Sequence, residues 1–185
     1  MKKAHPKNER IKRKYLQWLE TAKGMTPATA DQVAAAISAF EKSTNGKDFA
    51  AFHIEQPQKF QRDLKAAINA KTGKPLAKST IRSRLMAVKA FFKWLADQQG
   101  YKSRISHSDC EYFNVTANDR RIATARRERP VPSVEQLHHV IAAAPHETAL
   151  QKRDRALIAF TLLTGMRDAA IASLPLGKVN VERRE

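Results

Sequence analysis

The stretch STIRSRLMAVKAFFKWLA, residues 79–96, decides the fold. At about 100° per residue, Ile81, Leu85, Val88, Phe91, Phe92 and Leu95 fall within a sector of ~120°, the width of a stripe turned towards a core. The spacing predicts an amphipathic helix from about Ser79 to Gln98. Lys78, Arg82, Lys89 and Lys93 fall together in a second sector of roughly 60° beside that stripe. Four cations along one edge, with Ser79 and Thr80 at the helix start, suit a helix laid against a nucleic-acid backbone. Side chains and N-terminal amides both meet phosphates in that arrangement. A solvated face would carry the same pattern.

Towards the N-terminus, residues 1–9 read as a basic, disordered lead-in. From Arg10 the period is helical, with Ile11, Tyr15, Leu16 and Leu19 on one face and Lys12, Arg13 and Lys14 expected outside. Lys23-Gly24 closes that helix. Thr26-Pro27 opens the next, with Thr26 as N-cap, Pro27 at the first helical position and Val33, Ile37 and Phe40 as its buried stripe. Asn45-Gly46 marks a turn, and 49–54 a packed connection. A third helix, roughly Gln58 to Ala70, should carry Phe60, Leu64, Ala67 and Ile68 inward. Thr72-Gly73-Lys74-Pro75 is a loop by its breakers. Residues 10–105 thus form a first, helical domain.

Towards the C-terminus, residues 99–132 show no sustained period and read as irregular backbone, with 106–132 as a linker. The run DRRIATARRERPVP, 119–132, carries five arginines and ends in Pro130 and Pro132, which favour extended chain. Arg126 and Arg127 could lie along a phosphate backbone there, or the run could touch nothing. Ser133-Val134-Glu135-Gln136 is a capping box for a helix with Leu137, Val140 and Ile141 inward, ended by Pro145. His138 and His139 are neighbours on that helix and read as surface residues. In DRALIAFTLLTGMRDAAIASL, 154–174, a dense apolar run suits a helix buried on most sides. Gly165 can take the left-handed conformation that ends it, and a short helix from Asp168 to Ser173 follows. Arg167 then sits at a tight junction, where a guanidinium can grip a phosphate through two parallel hydrogen bonds. The spacing alone favours an ordinary surface arginine after a helix end.

Thirty-four basic residues against eighteen acidic ones leave a net charge of +16 and a pI near 10.3. Such an excess favours a polyanion, nucleic acid before an anionic membrane, because each neutralised phosphate releases counterions. No apolar run approaches the ~18 residues of a membrane span. The single cysteine, Cys110, leaves no internal disulfide, and no Cys/His cluster suggests zinc. The expectation is a soluble protein of a reducing cytoplasm, without metal or cofactor.

Two stretches carry a resemblance. Leu162, Leu163, Thr164, Gly165, Met166, Arg167, Ile171 and Leu174 stand where the first-arginine motif of the tyrosine recombinases, the phage-integrase family, has its leucine run, T-G-x-R, apolar pair and leucine. The family's glutamate falls on Ala170, a departure that bears on the local geometry. TPATADQ at 26–32 and the 79–96 helix are similar to elements of the core-binding domain that precedes the catalytic domain in that family. The resemblance covers nearly the whole chain after residue 10. It implies a mainly α protein: a SAM-like four-helix core-binding bundle that grips double-stranded DNA, then 133–185 as the mostly helical start of a catalytic domain.

The resemblance also gives Arg167 the role of a catalytic, phosphate-binding residue. The family's site further needs a hairpin lysine, a His/Lys-x-x-Arg box and a nucleophilic tyrosine, whose attack on phosphorus forms a covalent ester with DNA. The three tyrosines here, Tyr15, Tyr101 and Tyr112, precede the catalytic portion, and no H-x-x-R follows Arg167. The expectation is therefore an N-terminal piece of a recombinase that binds DNA without cleaving it. Its uncovered apolar residues Ile158, Phe160 and Leu162 would favour self-association. The competing readings are a non-catalytic DNA-binding regulator that occupies recombinase sites, and an RNA-binding or ribosome-associated basic protein.

Overall fold

Phe92 is fully enclosed, and its ring meets those of Phe40, Phe49, Phe52, Phe91 and Phe113 at centroid distances of 4.4–5.7 Å. Edge-on and offset aromatic pairs of this kind add to the burial of their area. They come from four separate stretches of the chain and define its core. The computed structural model describes residues 5–70, 72–126 and 130–175. The chain divides into two compact units, Met1–Arg126 and Arg127–Glu185.

In the first unit α1 spans Pro6–Thr21, α2 Pro27–Ser43, α3 Glu55–Ala66, α4 Lys78–Ala96 and α5 Ala117–Thr124. Helix α4 is the central element, packed on α2, α3 and α5 and on the 3-10 helix Asp109–Phe113. Each member of its expected stripe is buried, from Ile81 to Leu95. Thr26 caps α2 through its side-chain oxygen, which accepts from the Thr29 amide at 3.4 Å, and Pro27 holds the first helical position. Asn45 and Gly46 both adopt positive φ, the turn their sequence suggested. Phe49 and Phe52 anchor the connection that follows, as the sequence suggested.

Four features depart from the sequence reading. First, α1 begins at Pro6 rather than Arg10, so part of the supposed lead-in is helical. Pro6 fits the first helical turn, where its missing N–H costs no hydrogen bond. The cause of the misreading is Asn8, a polar residue with no exposure. Its Nδ2 donates to Glu41 Oε1 at 3.1 Å and to the Lys47 carbonyl at 2.9 Å, and its Oδ1 accepts from the Phe49 amide at 3.0 Å. Lys12 is likewise turned inward, between Glu9 and Glu41.

Second, α3 stops at Ala66, and Ile68 is 60% exposed instead of buried. The chain there turns back on itself: the Asn69 amide donates to the Lys74 carbonyl, the Leu76 amide to the Ala67 carbonyl, and Ile68 bridges Pro75. Gly73, at φ +65°, makes that reversal possible.

Third, of the expected linker 106–132, residues 106–124 belong to the first unit's packed structure. Ile105, Cys110, Phe113 and Val115 are buried in the core, and α5 follows, capped by Thr116 accepting from the Asp119 amide at 3.1 Å. The apolar residues are too few and too unevenly spaced to register as a period. Their enclosure comes from tertiary contacts alone. Burial also pushes the Cys110 thiol up to about 11, which keeps it protonated and unreactive.

Fourth, the second unit has no buried residue among those described. It comprises α6 (Val134–Ala143), α7 (Ala149–Thr164) and α8 (Asp168–Ala172). The Ser133/Gln136 capping box is formed, and a second one, Thr148/Gln151, starts α7 earlier than the apolar pattern suggested. Helix α7 is not buried on most sides: Leu157 is 42% and Ile158 38% exposed, and Leu163 stands out fully. Val140 of α6, expected inside, is half exposed. Among the described residues α6 packs on α7 within this unit, and a single helix cannot cover an apolar surface that runs round its partner.

Candidate nucleic-acid interface

The cationic edge of α4 exists, and it is partly occupied. Lys89 Nζ donates to Glu111 Oε2 at 2.6 Å and to Asn114 Oδ1 at 2.8 Å, and Lys93 Nζ lies 2.7 Å from Glu111 Oε1. Asn114 Nδ2 adds a third donor to that carboxylate at 2.7 Å. The Lys89 and Lys93 ammoniums and the Asn114 amide together hold the Glu111 carboxyl down to about 2. About three turns back along α4, Asp119 of α5 pairs with Lys78, the first residue of α4, and lies 3.5 Å from Lys65 of α3. Lys78 in first place, then Lys65, lowers the Asp119 carboxyl below its usual range. Arg82, between these two groups on the same edge, is half-buried and has no ion-pair partner among the described residues.

The sequence reading therefore located three lysines of this edge and missed what they touch. Glu111, Asn114 and Asp119 belong to the segment taken for a linker. The available signal was DCEYFNV, 109–115, where Cys110, Phe113 and Val115 are the apolar positions and Glu111 and Asn114 fall between them. The net charge of the edge remains positive, with Lys65, Lys78, Arg82, Lys89 and Lys93 against two carboxylates.

At the start of α4, Ala77 is the N-cap and offers no side-chain acceptor to the first turn. Ser79 is exposed and Thr80 half-buried. The outer face of α1 is a second cationic surface, formed by Lys7, Arg10, Arg13 and Lys14. None of these four has an ion pair among the described residues, and Lys14 donates to Gln98 at 3.2 Å. Arg126 is exposed at the end of the first unit, and Arg127 lies outside the described residues.

In the second unit Gly165 adopts φ +62°, and its amide donates to the Thr161 carbonyl at 2.9 Å, ending α7. Arg167 is the N-cap residue of α8, and its carbonyl accepts from the Ala170 and Ile171 amides. The guanidinium is exposed, and no described side chain pairs with it. Thus the junction forms as its sequence suggests and leaves the arginine head free. Among the described residues no three His, Cys, Asp or Glu side chains gather at metal-binding distance, and no helix is long and apolar enough to cross a membrane.

Comparison with known protein families, with curated proteins and with solved structures finds no match for this chain.

Proposed function

We propose that this chain binds double-stranded DNA through the lysine edge of α4, as the DNA-binding portion of a tyrosine recombinase. On this reading the first unit is the SAM-like core-binding bundle and the second the start of a catalytic domain. Arg167 is the arginine that grips the scissile phosphate. The observation that carries the proposal is the α4 edge itself. Its lysines are positioned by a rigid aromatic core, and they outnumber the acids packed beside them. An excess of +16 on the whole chain supplies the long-range attraction.

Cleavage is not proposed for this chain on its own. Tyr15 is enclosed against Phe91 and Trp94, and burial pushes its phenol up to about 12, so it cannot serve as a nucleophile. Tyr101 and Tyr112 belong to the first unit, whereas Arg167 belongs to the second. The same facts suit a non-catalytic protein that occupies recombinase sites.

The exposed apolar residues of α6 and α7 support self-association through the second unit. The functional reading is tested by titrating a duplex of about 20 base pairs, and a structured RNA of equal charge, at two salt concentrations. Preference for the DNA duplex, with affinity falling linearly in log salt, is expected. Equal affinity for both would transfer the reading to RNA.

A further inference from the structure

The three donors around Glu111 make a cradle of the kind an anionic oxygen group requires. Lys89 and Lys93 approach from α4, one turn apart, while Asn114 approaches from beyond the 3-10 helix. A carboxylate satisfied this way is a close chemical stand-in for the two unesterified oxygens of a phosphodiester. Each presents two anionic oxygens on one atom, trigonal carbon or tetrahedral phosphorus, that accept charge-assisted hydrogen bonds from ammonium and amide groups.

Two further observations separate this cradle from a purely structural ion pair. The Glu111 side chain is 49% exposed, whereas the Asp119 side chain, held by the other two lysines, is 15% exposed. The backbone under Glu111 is fixed by Cys110 and Phe113, both with no exposure. Its carboxylate can therefore turn out to solvent by side-chain rotation alone, with the segment staying in place. Asp119 has no such freedom and acts as a strap between α5, α4 and α3.

We propose that Lys89, Lys93 and Asn114 form a phosphate subsite whose resident ligand is the Glu111 carboxylate, displaced when a nucleic-acid phosphate docks. This rests on the duplex-binding reading and deepens it. The internal carboxylate keeps the two ammoniums aimed and close, which no unpaired lysine pair on an exposed helix would maintain against mutual repulsion. It also sets a threshold. A weak or isolated anion does not displace it, whereas a phosphate delivered by a duplex already held at Arg82 of the same edge competes at high local concentration.

The effect is measurable as a gain on neutralising an acid. With Glu111→Gln, duplex affinity at about 0.1 M salt should rise several-fold more than with Glu20→Gln, which makes the same charge change on the exposed surface of α1. The log K against log salt slope should also steepen by about one, because the vacated cradle then holds counterions to release. Adding Lys89→Gln to Glu111→Gln should return the affinity to that of the unaltered chain or below it. A Glu111→Gln chain that behaves as Glu20→Gln does, or binds more weakly, overturns the proposal.

The Asn114 side-chain amide signals in a nitrogen-15 spectrum of the full chain give a readout independent of DNA. Inorganic phosphate should move them in Glu111→Gln at concentrations that leave the unaltered protein unmoved. Duplex binding without any movement of these signals would remove the subsite and leave the DNA reading standing. Movement with phosphate, in a chain that ignores duplex, would keep the subsite and remove the DNA reading. If Glu111→Gln does not fold, the same signals followed in the unaltered chain during duplex titration decide the matter: movement supports the displacement, and constancy at saturation refutes it.

Discussion

Phe113→Ala is expected to destabilise the first unit by about 3–5 kcal/mol, the range for removing a buried phenylalanine side chain. Phe113 has no exposure, and its ring lies 5.7 Å from that of Phe40, 6.0 Å from Phe52 and 5.6 Å from Phe92. The position cannot collapse easily, because the rings around it are themselves held by one another and by α4. The upper part of the range is therefore the expectation. Both tryptophans, Trp18 and Trp94, lie in the first unit, so tryptophan fluorescence during urea unfolding reports that unit separately from the second. With a urea dependence of about 2 kcal/mol per molar, the midpoint should fall by roughly 1.5–2.5 M. The neighbouring Tyr112 is 46% exposed, and Tyr112→Ala should change stability by no more than about 0.5 kcal/mol. A Phe113→Ala chain within about 1 kcal/mol of the unaltered protein would show that residues 105–115 are not part of the core. The Glu111 and Asp119 contacts would then lose their foundation.

Asn8→Ala should cost about 1–3 kcal/mol in the same urea assay, because it strands the buried Phe49 amide and the Lys47 carbonyl. A neutral result would mean that Pro6 to Glu9 do not dock as described. Glu111 is depressed to about 2 in the folded chain from a usual value of 4.5. The stability it contributes is thus complete above pH ~4.5 and lost as pH falls through about 2, and Glu111→Gln should flatten the stability profile across that window. An unchanged acid limb would place the depression elsewhere. Gly165→Ala introduces a side chain at φ +62° with no atom within 4 Å, so its cost is backbone strain alone, about 1–2 kcal/mol. Faster amide exchange at residues 161–165 would reveal it, and unchanged exchange would argue against the left-handed cap. Sedimentation at rising concentration should show association that Leu157→Ser with Leu163→Ser reduces, and a concentration-independent monomer would remove the apolar face of α7 as a contact.

What could be read from sequence was whatever repeats with a helical period or caps a helix. The α4 stripe, the Thr26-Pro27 start, the Ser133 capping box and the Gly165 end are all local signals, decided within a few residues, and each forms where it was expected. Asn8 shows the opposite case. A polar residue enters the core because Glu41, Lys47 and Phe49, more than thirty positions away, supply its partners. No window on the chain contains that information. The same holds for Cys110, Phe113 and Val115, whose burial depends on α4 and the aromatic rings rather than on any pattern of their own. The candidate site was half legible for this reason. The lysines of α4 announce themselves by spacing, while the carboxylates that meet them arrive from a segment without period.

The charge of the α4 edge is also a reminder that an aligned row of cations is not by itself an open surface. Lys78, Lys89 and Lys93 each have a carboxylate partner, whereas Lys7, Arg10, Arg13 and Lys14 on α1 have none among the described residues. Arg82, one turn into α4, is the cation of that edge without an ion-pair partner among the described residues.

The salt dependence of duplex binding by Lys89→Ala with Lys93→Ala, set against that of the unaltered chain, tests this account most directly. The account predicts weaker binding by the doubly altered chain and a log K against log salt slope shallower by up to about two. Binding of equal strength and equal slope, or an unaltered chain that ignores duplex DNA at low salt, would contradict it.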